Sequence, residues 1–211
     1  MAQTDATSSP SLRRPRWPAL VALLLLVAGI EVVWQRYFAT YHLATVQAGV
    51  LYRDGAANIR QLRSAVDQVN AKTVICLIDD QELADPAKPQ FRQEMDFLKQ
   101  KGVRVERIPI TLGGWPTTPD VQRFLDLVND KGNQPVLVHC AQGVRRTAMM
   151  VAAYQESVLG YDKEKAKAAI LTFGHSDKTV NDIKRFIDGY DSKTKTVVMQ
   201  VAAVERNESE K

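Results

Sequence analysis

Apolar residues follow two different rhythms along this chain. From Trp17 to Trp34 they are nearly continuous (WPALVALLLLVAGIEVVW), broken by Glu31. Beyond Val46 they come in short bursts separated by polar turns. Ile59, Leu62, Val66 and Val69 recur at helical spacing, as do Phe91, Met95 and Leu98, and then Val121, Phe124, Leu125 and Val128. The last set is entered at Thr118-Pro119, a capping residue followed by a first-turn proline. Between these helical patterns lie apolar runs of strand length: Thr73–Ile78 (TVICLI), Val103–Ile110 and Pro135–His139 (PVLVH). Thr147–Tyr154 is apolar nearly all round, which predicts a buried helix. Two further helices are expected over 162–173 and 177–190. Alternation of this kind predicts an α/β fold with a central, mostly parallel sheet of four or five strands flanked by helices.

The first apolar run is preceded by Arg13, Arg14 and Arg16. Its length is at the low end for a bilayer core, and the arginines belong on the cytoplasmic side. The expectation is a single-pass transmembrane anchor over 17–34, with the N-terminus cytoplasmic and the globular part on the far side. A cleaved signal peptide is the alternative, although no clean small-x-small site follows. Residues 1–16 are expected to be disordered, 35–45 to link, 46–192 to form the globular domain and 193–211 to be a loose tail.

Composition narrows the function. A net charge of +4, partly concentrated in the N-terminal arginines, does not make the basic stripe of a nucleic-acid binder. The two cysteines, Cys76 and Cys140, form neither a disulfide framework nor a CxxC or Cys/His zinc cluster, so no metal or other cofactor is expected. His42 and His175 stand without metal-ligand company and read as structural or surface residues. The expected state is a monomer.

Candidate chemistry lies at residues 139–147, His-Cys-Ala-Gln-Gly-Val-Arg-Arg-Thr. An apolar strand leads in and the buried helix leads out, placing the loop at the carboxyl end of a parallel strand, where ligands bind. The residues between Cys140 and Arg146 (Ala141, Gln142, Gly143, Val144, Arg145) can curl so that successive N–H groups face inward and hold an anion, reinforced by the helix N-terminus. Such a cradle binds phosphate and favours a thiolate at Cys140. Arg146 can grip phosphate oxygens with its planar fork. Thr147 can donate its hydroxyl to the sulfur, and His139 can fix the loop through backbone hydrogen bonds. Arg145 adds positive charge at the rim.

This H-C-x-x-G-x-x-R-T pattern resembles the signature of the protein tyrosine and dual-specificity phosphatase superfamily. LYRDG at Leu51–Gly55 is similar to the LYRSG opening of bacterial and atypical dual-specificity phosphatases. TVICLIDDQE at Thr73–Glu82 resembles their second strand and following turn. The resemblance covers roughly Val46 to Tyr190 and points to small exported bacterial members. It implies attack by cysteine on phosphorus, a phosphocysteine intermediate and hydrolysis of phosphotyrosine or phosphoserine/threonine in proteins, without a metal. It also implies an aspartate general acid on the loop after the strand Val103–Ile110, but that loop (PITLGGWPTTP) has no carboxylate. Asp79, Asp80 and Asp120 are the candidates; each also reads as an ordinary turn or helix-start residue. Without an acid, the domain would be a slow enzyme or a phosphate-binding pseudo-phosphatase. Relatives that take phosphoinositides carry lysines where this loop has Ala141, Gln142 and Val144, which ranks those substrates lower. A rhodanese-like sulfurtransferase is more distant still, since its loop lacks the histidine and threonine. Cys76 reads as a buried hydrophobe, while the resemblance offers it as a disulfide partner protecting Cys140.

Overall fold

The computed structural model describes residues 17–37, 40–171 and 173–198. It contains two compact units, one ending at Phe38 and one beginning at Ala39. The first contributes helix α1 (Trp17–Tyr37), whose described apolar side chains are exposed; Leu24 and Leu25 are 68% and 69% accessible. The transmembrane span expected over 17–34 is not supported, because among the described residues no helix is long and apolar enough to cross a membrane. The leader expected over 1–16 and the end of the tail lie outside the described residues.

The second unit is built on a five-stranded sheet in the order β1-β2-β5-β3-β4. Its strands are β1 (Ala44–Gln47), β2 (Leu51–Gly55), β3 (Thr73–Cys76), β4 (Arg104–Arg107) and β5 (Val136–Cys140). β2, β5, β3 and β4 are parallel, and β1 closes one edge antiparallel to β2. β3 and β5 are buried at every position, which accounts for their unbroken apolar sequences. The edge strand β4 instead alternates charge. Arg104 and Arg123 both pair with Glu106 there, which blunts the open edge. The strand expected over 103–110 ends at Arg107, after which Ile108 and Ile110 still donate to the carbonyls of Cys76 and Leu77.

Alternation along β5 defines two layers. Val136, Val138 and Cys140 face a core shared with α5 (Thr118–Asn129), α6 (Arg145–Ser157) and α8 (Asp177–Gly189). Leu137 faces α2 (Ile59–Val69) and α4 (Pro89–Lys101). α2 starts at Asn58, whose side chain accepts from the amides of Arg60 and Gln61, and stops at Asn70 in the left-handed conformation. Short helices α3 (Asp80–Ala84) and α7 (Lys163–Ala168) complete the set; the helix expected over 162–173 is only α7. Every residue of α6 from Arg146 to Tyr154 is buried, as its all-round apolar pattern requires. Phe124 is fully buried in the first layer, and its truncation to alanine should cost about 3–5 kcal/mol. The chain beyond Ser192 is not a loose tail as far as Val198. Tyr190–Asp191 (β6) pairs with Thr196–Val197 (β7), and the Val197 amide donates to Thr118 Oγ1 at 2.9 Å.

Candidate active site

β5 lies between β2 and β3, so its last residues, His139 and Cys140, leave the sheet at its centre. The chain then turns through 141–144 into α6. Gly143 adopts φ +68°, and a Cβ there would lie 2.3 Å from the Asp54 carbonyl oxygen, so only glycine fits. Gly55 is equally confined, since its Cβ would stand 2.7 Å from the Gln142 backbone. The two glycines let the loop pack directly on the end of β2. The Gly143 amide donates to Cys140 Sγ at 3.2 Å. α6 begins after Val144 with no side-chain cap, so its first-turn amides keep their capacity for an anion.

Arg146 is buried and held by four contacts. Its Nη1 donates to Glu82 Oε2 (2.5 Å), the Ile110 carbonyl (2.9 Å) and the Leu77 carbonyl (3.3 Å), and its Nη2 to Glu82 Oε1 at 3.2 Å. No described residue accepts from Nε. With the remaining Nη2 proton it forms a two-pronged donor edge suited to a phosphoryl group. Burial opposes the guanidinium charge, but Glu82, the Cys140 sulfur and Asp79 outweigh it and raise the pKa. Burial likewise pushes the Cys140 thiol up. The charge of Arg146, the Thr147 hydroxyl and the amides of Thr147 and Gly143 more than reverse this, so the thiol ionises below its ordinary range. Thr147 Oγ1 is buried and meets no other partner of ordinary hydrogen-bond geometry among the described residues.

The other side chains singled out by sequence take up different stations. Asp79 caps α3, accepting from the Glu82 amide at 2.7 Å and, across the site, from the Leu112 amide at 2.9 Å. Burial works against its charge, but these amides and Arg146 keep its pKa lowered. Asp80 is a surface residue paired with Arg107 at 2.5 Å. Asp120 closes a capping box at the start of α5, accepting from the amide and hydroxyl of Thr117. All three carboxylates are thus engaged elsewhere. The Arg145 side chain turns away from the loop. It donates to Asp182 on α8 at 3.0 Å and to the Gly114 carbonyl, and lies 5.2 Å over the Trp115 ring. Ala141, Gln142 and Val144 contribute backbone to the loop.

His139 faces the opposite layer from Cys140. Its Nε2 lies 2.7 Å from Glu94 Oε1, both side chains buried, while its contact with the Cys140 carbonyl is a long 3.4 Å. Cys76 sits in register with His139 on the neighbouring strand, so it shares that face and packs in a cluster separate from Cys140. Both thiols are free. Cys76, Glu94 and His139 bring ligand-type atoms within 4.8 Å of one another. The 2.7 Å contact makes the histidine and glutamate direct partners in an ion pair. Asp54, in register with His139 on β2, completes a buried polar row. Burial raises its pKa to about 8.

Sequence reasoning missed Glu82, Glu94, Arg53 and His42. Glu82 and Glu94 stand in helices whose other acids are ordinary surface residues, so nothing in their spacing marks them. Arg53 carried a signal: it is a charged residue inside a strand-length segment, with its Nη2 on the Gly143 carbonyl at 2.5 Å. Burial lowers its pKa to about 10, against the attraction of Cys140.

A buried cysteine whose thiol ionises below its ordinary range, beside a loop amide and an anchored arginine at the carboxyl end of a parallel strand, matches the arrangement of cysteine-based phosphatase sites. Residues 50–188 match the family described as DSP-PTPase phosphatase fused to NAD+ kinase, and the chain belongs to that family. It is 26% identical over 142 residues to the dual specificity protein phosphatase TpbA of Pseudomonas aeruginosa, covering 67% of this chain and 59% of TpbA. It is 30% identical over 119 residues to the inositol diphosphatase DSP1 of rice, covering 54% and 49% of the two chains. A match to a probable rice chloroplastic NAD kinase spans only 6% of that protein. The chain therefore spans less than two thirds of the length of these relatives. The fold is shared with the crystal structure of TpbA (TM-score 0.57, 24% identity, covering 75% of this chain and 94% of that one). It is also shared with the catalytic core of the yeast PP-IP phosphatase SIW14 (TM-score 0.61, 18% identity, covering 74% and 89%).

Proposed function

We propose that this protein hydrolyses phosphate monoesters through a phosphocysteine. The carrying observation is the Cys140 sulfur, stabilised as thiolate by Arg146, Thr147 and the Gly143 amide in one loop. The thiolate attacks phosphorus in line, an S–P bond forms, and the P–O bond to the leaving group breaks. Inward amides and the free edge of Arg146 hold the equatorial oxygens as charge redistributes. Water then attacks the phosphocysteine, releasing phosphate and restoring the thiolate, with Thr147 stabilising the departing sulfur. The test is turnover of para-nitrophenyl phosphate by the full chain against Cys140→Ser. Turnover indistinguishable from the mutant, with phosphate binding retained, would leave a binding module in place of an enzyme.

The engaged state of Asp79, Asp80 and Asp120 favours substrates whose leaving group needs no proton. Aryl esters such as phosphotyrosine in proteins meet that condition, and phosphoprotein is the first reading. Diphosphates are the second, because a departing phosphate is itself a good leaving group and relatives are named inositol diphosphatase and PP-IP phosphatase. Comparing kcat/KM for a phosphotyrosine peptide, a phosphoserine peptide and an inositol diphosphate separates them. We also place the domain at a membrane surface through α1. The exposed apolar side chains of α1 need cover, and Arg13, Arg14 and Arg16 favour a cytoplasmic N-terminus. Release of the full chain from membranes by alkaline carbonate, without detergent, would count against an embedded helix.

A further inference from the structure

Two carbonyls of the phosphate loop are gripped by residues that come from elsewhere in the chain. His42 Nδ1 lies 2.8 Å from the Gln142 carbonyl oxygen, and Arg53 Nη2 lies 2.5 Å from that of Gly143. A planar trans peptide carries its C=O and N–H on opposite sides. Fixing the Gln142 carbonyl toward His42 therefore aims the next amide, that of Gly143, the other way, and that amide meets Cys140 Sγ at 3.2 Å. The acceptor is a carbonyl, so His42 must carry its proton on Nδ1.

His42 is itself tightly placed. It stacks between Tyr41 (centroids 4.0 Å apart) and Phe173 (4.1 Å apart). Phe173 in turn faces the Arg53 guanidinium at 5.5 Å, so the two grips share one aromatic brace. The Tyr41 carbonyl accepts from the Gly55 amide at 2.8 Å, tying the segment to the end of β2. His42 adopts φ 66°, a left-handed conformation uncommon outside glycine, asparagine, aspartate and histidine. Held strain of this kind clusters at working sites.

We propose that His42 is a positioning residue for phosphoryl transfer, holding the Gln142 carbonyl outward so that the Gly143 amide is aimed at the sulfur and the bound phosphoryl group. This rests on reading residues 140–146 as the phosphoryl site. The histidine offers a ring and a donor, and two substitutions separate them. His42→Phe keeps the ring stack and removes the donor. His42→Asn removes the ring but carries an amide nitrogen where histidine has Nδ1, and asparagine tolerates the positive φ.

The experiment uses the full chain in detergent. It measures kcat/KM for para-nitrophenyl phosphate, the inhibition constant for vanadate, the pH dependence of Cys140 alkylation in a Cys76→Ser background, and the melting temperature. His42→Phe should lose about tenfold in kcat/KM and in vanadate affinity, the size of one ordinary hydrogen bond, and its alkylation profile should move to higher pH. His42→Asn should stay within about threefold of the parent, less than 1 kcal/mol. The proposal is overturned if His42→Phe matches the parent, or if His42→Asn falls as far as His42→Phe while both melt as the parent does. Absence of turnover in the parent would defeat the phosphatase reading alone, because the alkylation profile still reports the effect of His42 on the sulfur.

Discussion

Glu94 of α4 and His139 of β5 face each other across 2.7 Å with neither side chain reaching solvent. Burial disfavours the imidazolium, but Glu94 and then Cys76 reverse this and raise the His139 pKa well above 6.5. The folded state therefore keeps a proton that the unfolded chain releases near 6.5. The stability it adds is complete below that pH and is lost as pH rises through the folded value. Glu94→Gln should flatten this decline in denaturant titrations above pH 6.5 and lower stability near pH 6 by about 3–5 kcal/mol, the cost of breaking a buried pair.

Asp54 carries the opposite penalty. Its pKa rises from 3.8 to about 8, and both carboxyl oxygens lie buried without a well-formed hydrogen bond. The folded state holds a proton that the unfolded chain gives up near 3.8, so Asp54 costs stability progressively from pH 4 to 8. Asp54→Asn should raise the melting temperature at pH 8 by about 4–8 °C, equivalent to roughly 2 kcal/mol at this size. Its advantage should vanish near pH 4.

Glu82 orients Arg146 by accepting from both terminal nitrogens. Glu82→Gln leaves one good acceptor and loosens the fork. We expect kcat/KM to fall about 10²-fold, as for misplacement of a reacting group by an ångström. The Cys140 alkylation profile should shift upward because Arg146 is less firmly held beside it.

Gly143→Ala would drive a methyl to 2.3 Å from the Asp54 carbonyl oxygen at a φ hostile to alanine. Vanadate affinity should drop at least tenfold, measured by inhibition, with a fall in melting temperature for the strain.

Asp120→Ala should behave as a helix-start variant, losing about 1 kcal/mol of stability while the shape of the pH–rate profile for an aryl phosphate is unchanged. Asp79→Ala and Asp80→Ala should also leave that shape unchanged. Loss of a basic limb in any one of the three would name that residue the general acid.

The layers of the fold were legible because TVIC and PVLVH are strands buried on both faces, and such strands read as unbroken apolar runs. β1 was not. Its sequence, ATVQ, is polar at the edge of the sheet, so the segment looked like linker. The nine residues of the loop were legible because glycine, arginine and threonine hold fixed offsets from the cysteine. Glu82, Glu94 and His42 were not, because each meets the site only through tertiary contact: across 64 positions of chain between Glu82 and Arg146 and 100 between His42 and Gln142. The fate of Arg145 was equally hidden. An extra cation at the rim looks like a substrate contact until Asp182 and Trp115 are seen to claim it.

The segment at Tyr41 and His42 bears on how the domain should be cut free from its first helix. A fragment started at Val46, where the apolar pattern begins, discards the tie to Gly55 and the grip on Gln142 together with half of β1. Such a fragment would keep Cys140 and Arg146 yet lack both contacts. A faithful soluble version has to begin upstream of Tyr41.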